Sequence, residues 1–167
     1  MQPEVFEGAC GQTVVGVLSD THGYLPPKAF RALADMSPDL IVHAGDICGD
    51  DILPQLEMLA PVVAVLGNND YPGEYGPRVT SRAAFERMGV DFAVTHVPSR
   101  LGALTTRIAI CGHTHVPKVE QCGFTTVVNP GSTTRPRGPE GPTVARIVLE
   151  PGYVRQIQVV RIEEARA

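Results

Sequence analysis

What the chain lacks narrows its role first. No apolar run approaches the ~20 residues that a membrane-spanning helix needs. Met1 to Gln12 shows no basic stretch followed by an apolar one, so neither an anchor nor a secretory signal is expected. Positive charge is not in excess: 14 Lys and Arg stand against 18 Asp and Glu, for a net charge of −4 and a pI near 5.7. A broad basic surface for nucleic acid backbone is therefore disfavoured. Small nucleotides stay open as substrates, because bound cations could supply local positive charge. The cysteines, Cys10, Cys48, Cys111 and Cys122, form no C-x-x-C pair and no zinc-ribbon spacing, which points to reduced thiols in a cytoplasmic protein. No repeat or low-complexity linker divides the chain. At 167 residues, 43% hydrophobic and 19% charged, it suits one globular domain spanning 1–167.

What is present is a run of short apolar segments. Thr13–Leu18, Leu40–His43 and Val62–Leu66 are continuous and rich in β-branched residues, as strands buried on both faces should be. Between them, Lys28–Met36 and Asp50–Leu59 are predicted helices, the first opened by Pro26-Pro27 and closed by Ser37-Pro38. Strand, helix, strand, helix, strand implies parallel right-handed crossovers with the functional loops at the C-terminal strand ends. Beyond Asp70 the pattern turns to hairpins. Arg82–Phe85 and Asp91–Thr95 flank Met88-Gly89, with a helical turn over Arg82–Met88 as the alternative. Ile108–Ile110 is a further buried strand, followed by strands around Pro117–Gln121, Phe124–Val128, Thr143–Leu149 and Tyr153–Arg161. Thr133–Pro142 reads as a long surface loop and Glu163–Ala167 as a fraying end. The expected class is α+β, a four-layer α-β-β-α sandwich of two mixed sheets flanked by helices.

Polar residues cluster just after these strands. Asp20 and His22 form a D-x-H pair behind the first, with an Asx turn and an exposed histidine as the alternative. Asp46 follows the second; its carboxylate could join two cations, or cap the next helix. His43, inside the apolar strand, reads as an imidazole that orients a ligand and is not one itself. Asn68, Asn69 and Asp70 follow the third strand, where a neutral amide oxygen adds coordination without charge, although the same residues make a good turn. His96 ends another apolar run. His113 and His115, in Gly-His-Thr-His, suit two adjacent ions or a bending loop, since alternate residues of extended backbone face opposite ways. Of the five histidines, His22, His96, His113 and His115 all fall at strand ends, beside Asp20, Asp46 and Asn68. Joint placement of this kind describes a two-metal centre suited to phosphate ester chemistry.

The motifs Leu18-Ser-Asp-Thr-His-Gly23, His43-Ala-Gly-Asp-Ile47, Gly67-Asn68 and Gly112-His-Thr-His115, in this order, resemble those of the calcineurin-like metallophosphoesterase superfamily. The size resembles its small single-domain prokaryotic phosphodiesterases. Asn129-Pro-Gly-Ser132, with Arg135 and Arg137 after it, is similar to a family segment near the site. The resemblance implies one metal held by Asp20, His22, Asp46 and His115. It implies a second held by Asp46, Asn68, His96 and His113, with Asp46 bridging. Asp46, Asn69 and His96 are then the catalytic candidates, His43 and Asp70 support them, and Arg135 and Arg137 are candidates for substrate oxygens, with a solvated basic loop as the alternative. Two positions depart from the family: Asn69 stands where many members have His and others Cys, and His96-Val97-Pro98 where His-Gly is frequent.

The expected activity is hydrolysis of a P–O ester by in-line attack of a hydroxide bridging two divalent ions roughly 4 Å apart. Manganese is placed first, with zinc, iron, cobalt or nickel compatible with the same N and O donors. Asn69 cannot act as an acid, and a positioned general acid contributes ~10²–10⁴-fold, so diesters are expected over alkyl monoesters. The alternatives are a phosphomonoesterase and a non-catalytic interaction scaffold resembling the eukaryotic retromer subunit. The partner is a small phosphate ester, and a homo-oligomer is left open.

Overall fold

Apolar runs without polar interruption fold as central strands because both of their faces can be buried. In the computed structural model, which describes residues 11–162, β1 (Thr13–Leu18), β2 (Leu40–His43) and β3 (Val62–Ala64) lie side by side in parallel. Their crossovers are α1 (Pro27–Asp35), with a proline at its first position, and α2 (Ile52–Glu57). Leu18 pairs with His43 and His43 with Ala64, so the three C-terminal ends are level. The chain then forms β4 (Arg82–Arg87), β5 (Val90–Thr95), a 3₁₀ turn (Pro98–Leu101), β6 (Ile108–Ile110), β7 (Lys118–Cys122), β8 (Thr125–Asn129), β9 (Thr143–Glu150) and β10 (Tyr153–Arg161).

Two five-stranded mixed sheets result, ordered β10-β9-β1-β2-β3 and β4-β5-β6-β8-β7. In the second, β5, β6 and β8 are parallel and their edges antiparallel. Val15, Val17 and Val42 of the first sheet pack on Phe92, Ile108, Ile110 and Val128 of the second, all fully buried, with Ile147 and Leu149 of β9. On the outer face of the first sheet, Leu18 and Ile41 meet Leu33 of α1 and Ile52 and Leu56 of α2. The outer face of the second sheet is covered more thinly, Ala109 and Cys111 packing on Leu101 and Leu104 around the 3₁₀ turn.

The expected two-sheet sandwich stands; among the described residues the outer layer on the second sheet is the 3₁₀ turn and its loop and not an α-helix, and other details differ at the boundaries. The segment over Arg82–Arg87 is a strand and not a helical turn: Met88 and Gly89 both have positive φ, as a two-residue hairpin requires, and Phe85 stacks on Phe92 with centroids 4.6 Å apart. β3 ends at Ala64, because Val65 makes only an isolated bridge to Thr80. α2 is shorter than Asp50–Leu59, and Pro61 lies just beyond its final turn. Cys10 and Glu163–Ala167 lie outside the described residues. No described helix is long and apolar enough to cross a membrane.

Candidate metal centre

The parallel strands of both sheets deliver their C-terminal loops to one rim. Asp20 and His22 follow β1, Asp46 follows β2, Asn68 and Asn69 follow β3, His96 follows β5, and His113 and His115 follow β6. These loops turn sharply. Asp20, His22, Asp46, His113 and His115 all hold φ between 50° and 74°, a left-handed conformation that costs non-glycine residues energy. The Gly-His-Thr-His segment therefore bends between its histidines and is not extended. Close approach needs glycine at two places. A Cβ on Gly67 would lie 2.2 Å from Asp46 N, and one on Gly112 would lie 2.1 Å from Ser19 Oγ.

Around the rim the side chains converge. His115 Nε2 lies 3.2 Å from Asp20 Oδ1 and 3.3 Å from His22 Nε2. Asp46 Oδ2 lies 3.6 Å from His22 Nε2 and 3.4 Å from His96 Nε2. Asp20 Oδ1 is 3.7 Å from His96 Nε2, and Asn68 Oδ1 is 3.2 Å from His113 Nδ1. Two triads of donor atoms emerge, Asp20–His22–His115 and Asp20–Asp46–His96, each with its atoms within 4.8 Å of one another. Both carboxylates thus reach across the centre, whereas the motif resemblance assigned the shared role to Asp46 alone.

The surrounding bonds aim these donors. The Nδ1 atoms of His96 and His115 face the carbonyls of Ala44 at 2.8 Å and Arg135 at 2.7 Å; donating there leaves each Nε2 lone pair directed inward. Asp20 Oδ2 accepts from Ser19 Oγ and His113 N, so only Oδ1 faces the centre. Asn69 donates its backbone N–H to Asp46 Oδ1 and its side-chain amide to Oδ2, both at 2.9 Å. Asp70 accepts from the backbone of Ile47, Cys48 and Gly67, fastening the Asp46 loop to the loop after β3. His43, fully buried below, accepts from Gly45 N, and its Nε2 is 3.1 Å from Thr21 Oγ1. Asn129 donates to Gly112 O, while Ser132 and Thr134 donate to Asp20 O.

Charge follows from these contacts. Burial pushes His43 down to about 3, so it is neutral near pH 7. Burial opposes the ionised form of Asp46, but the adjacent His96 and the Asn69 donors hold it well below the usual carboxylate range. Burial likewise opposes the charged form of His96, yet Asp46 and Asp20 outweigh it and raise its pKa. For His22, burial prevails and lowers the pKa.

Asp20 Oδ1 and His96 Nε2 are buried with no hydrogen-bond partner. The 3.4 Å approach of His96 to Asp46 brings charges together without a well-formed bond. Unsatisfied buried groups need a reason. Two carboxylates, inward imidazoles and an amide oxygen are a donor set that divalent transition metals satisfy, and the residues present fit such ions.

Arg135 and Arg137 flank His115 through their backbone, Arg137 N donating to His115 O. Their guanidinium groups are exposed and make no bond among the described residues. Sequence reasoning missed the supporting roles of Ser19 and Thr134, ordinary loop residues without a distinguishing spacing. It also missed Arg100, from the 3₁₀ turn after β5, which lines a cavity of about 210 Å³ beside Asn68 and His96.

The sequence profile of the calcineurin-like phosphoesterase superfamily domain matches residues 14–152. A protein named as a probable metallophosphoesterase from Methanocaldococcus jannaschii is 36% identical over 146 residues, 77% of this chain and 72% of that one. A structure titled as a novel archaeal phosphodiesterase superposes with a TM-score of 0.71 at 26% identity, over 89% of this chain and 100% of that one. Vps29 from Entamoeba histolytica, complexed with zinc, superposes with a TM-score of 0.66 at 20% identity, over 90% and 99% of the two chains, a likeness of fold.

Proposed function

Because the chain belongs to the calcineurin-like phosphoesterase superfamily, we propose that it is a metal-dependent phosphodiesterase acting on a small phosphate ester. The observation that carries this reading is the pair of orphaned buried atoms, Asp20 Oδ1 and His96 Nε2, facing each other across a ring of further donors. Asp20, His22, Asp46 and His115 would hold one divalent ion, and Asp46, Asn68, His96 and His113 a second. Bound there, the ions would supply Lewis-acid polarisation of the phosphoryl oxygens and a water of lowered pKa. Manganese is the first candidate.

The chain's own residues define the rest. Carbonyls of Ala44 and Arg135 keep His96 and His115 in the tautomer whose Nε2 faces inward. Asn69 holds both oxygens of Asp46, so that carboxylate keeps one orientation. In the hydrolysis, a water oxygen bonds to phosphorus and releases its proton to solvent as the ester P–O bond breaks, and the released alkoxide takes a proton from solvent. Asn69 has no proton to give, which favours leaving groups that depart without one. Diesters and activated esters should outrun alkyl monoesters.

A second reading, an interaction scaffold, draws on the likeness to Vps29. Metal content alone does not separate the two, since that relative is itself complexed with zinc. Turnover does. Purified protein loaded with manganese should cleave bis(p-nitrophenyl) phosphate and lose that activity on Asp46→Ala. Absence of turnover with every divalent metal would favour the scaffold, and full activity in Asp46→Ala would refute the site.

A further inference from the structure

The cavity of about 210 Å³ at the second-metal side of the rim is bordered by the candidate ligands Asn68 and His96, by apolar Pro72 and Val97, and by Ser81 and Arg100. It is partly open to solvent and has room for one arm of a substrate. Its charge is one-sided. The guanidinium of Arg100 is exposed and has no partner among the described residues. Arg82 donates to the Arg100 carbonyl at 3.3 Å, keeping a second cation at this end. The one carboxylate on the wall, Asp70, is occupied by the backbone N–H groups of Ile47, Cys48 and Gly67.

The Val97-Pro98 sequence builds this wall: Pro98 opens the 3₁₀ turn that carries Arg100 back beside His96. A guanidinium freed of internal partners at the wall of a pocket beside the candidate ligands is a receptor for a carboxylate or phosphate group.

We infer that the substrate is a phosphodiester with one ester arm that itself carries an anionic group, seated in this cavity with its charge on Arg100. The inference rests on the phosphodiesterase reading and narrows it to a substrate class. Arg100 then selects between substrates by binding one arm and takes no part in breaking the bond.

Three p-nitrophenyl phosphodiesters differing only in the second arm test it: ethyl, 2-carboxyethyl and 2-phosphoethyl. The aromatic arm is common to all and is the leaving group in each. The manganese-loaded protein should favour at least one charged arm about tenfold in kcat/KM, mainly through KM. Arg100→Gln should abolish the preference and Arg100→Lys restore part of it. Arg146→Gln removes an equal charge whose guanidinium bonds Gln156 instead, and should keep the preference. The ratio between arms cancels any change in folding or metal loading. Equal turnover of all three, or a preference that survives Arg100→Gln, would overturn the inference while leaving the diesterase reading intact. Failure to cleave any of them would remove that reading and the inference with it. Comparison of the two charged arms tells a carboxylate from a phosphate.

Discussion

At the scale of single residues, the candidate donors that the fold brings to one rim were legible and the bonds that orient them were not. Asp20, His22, Asp46 and the three later histidines stand out because few histidines exist and they fall where apolar runs stop. Nothing in the sequence shows that Asn69 spans both oxygens of Asp46, since that depends on the pitch of one turn. Asn69→His should raise the monoester-to-diester turnover ratio at least about tenfold, because a general acid becomes available; paired kinetics on phenyl phosphate and its diester read this. His43 offers a pH test. Its pKa, ordinarily 6.5, falls to about 3 in the fold through burial. Between those values the unfolded chain binds the extra proton, so stability drops as pH falls from 6.5 toward 3, by up to about 1.4 kcal/mol per pH unit. In His43→Gln that contribution should be absent, and urea midpoints from pH 7 to 4 should decline less steeply than in the wild type.

Elements were read well where one face or both had to be apolar. β1, β2 and the α1 crossover follow directly from that rule, whereas β3 stops early because its last residues meet Thr80 instead of a strand. The 3₁₀ turn at Pro98–Leu101 was not foreseen, being too short for any periodicity, and it carries Arg100. Loop-to-loop fit is likewise invisible in a one-dimensional pattern. Gly67 looks like a turn glycine, yet its missing side chain makes room for Asp46. Gly67→Ala should therefore cost about 1–3 kcal/mol and weaken manganese binding at least tenfold, while circular dichroism keeps the native strand signal. Phe92→Ala, by contrast, removes the buried aromatic beneath Phe85 and should cost about 3–5 kcal/mol, without a specific effect on metal affinity per folded molecule.

For the whole molecule, the two-sheet sandwich could be inferred, but the order of its strands could not. β9 inserts beside β1 across most of the chain's length, a pairing that no local signal encodes. The consequence is that loops from two sheets meet only when both halves have folded. A cation would give the orphaned Asp20 Oδ1 and His96 Nε2 atoms the partner they lack among the described residues. Divalent metal should accordingly stabilise the fold, by about 2.7 kcal/mol at a hundredfold excess over Kd, and chelator should reverse the shift in thermal melting. The central claim is that these loops cage a pair of cations, and anomalous diffraction from manganese-loaded crystals tests it most directly. Two peaks are predicted on the rim, one among Asp20, His22 and His115 and the other among Asn68, His96 and His113, both beside Asp46. A map with no anomalous density between these side chains would contradict it.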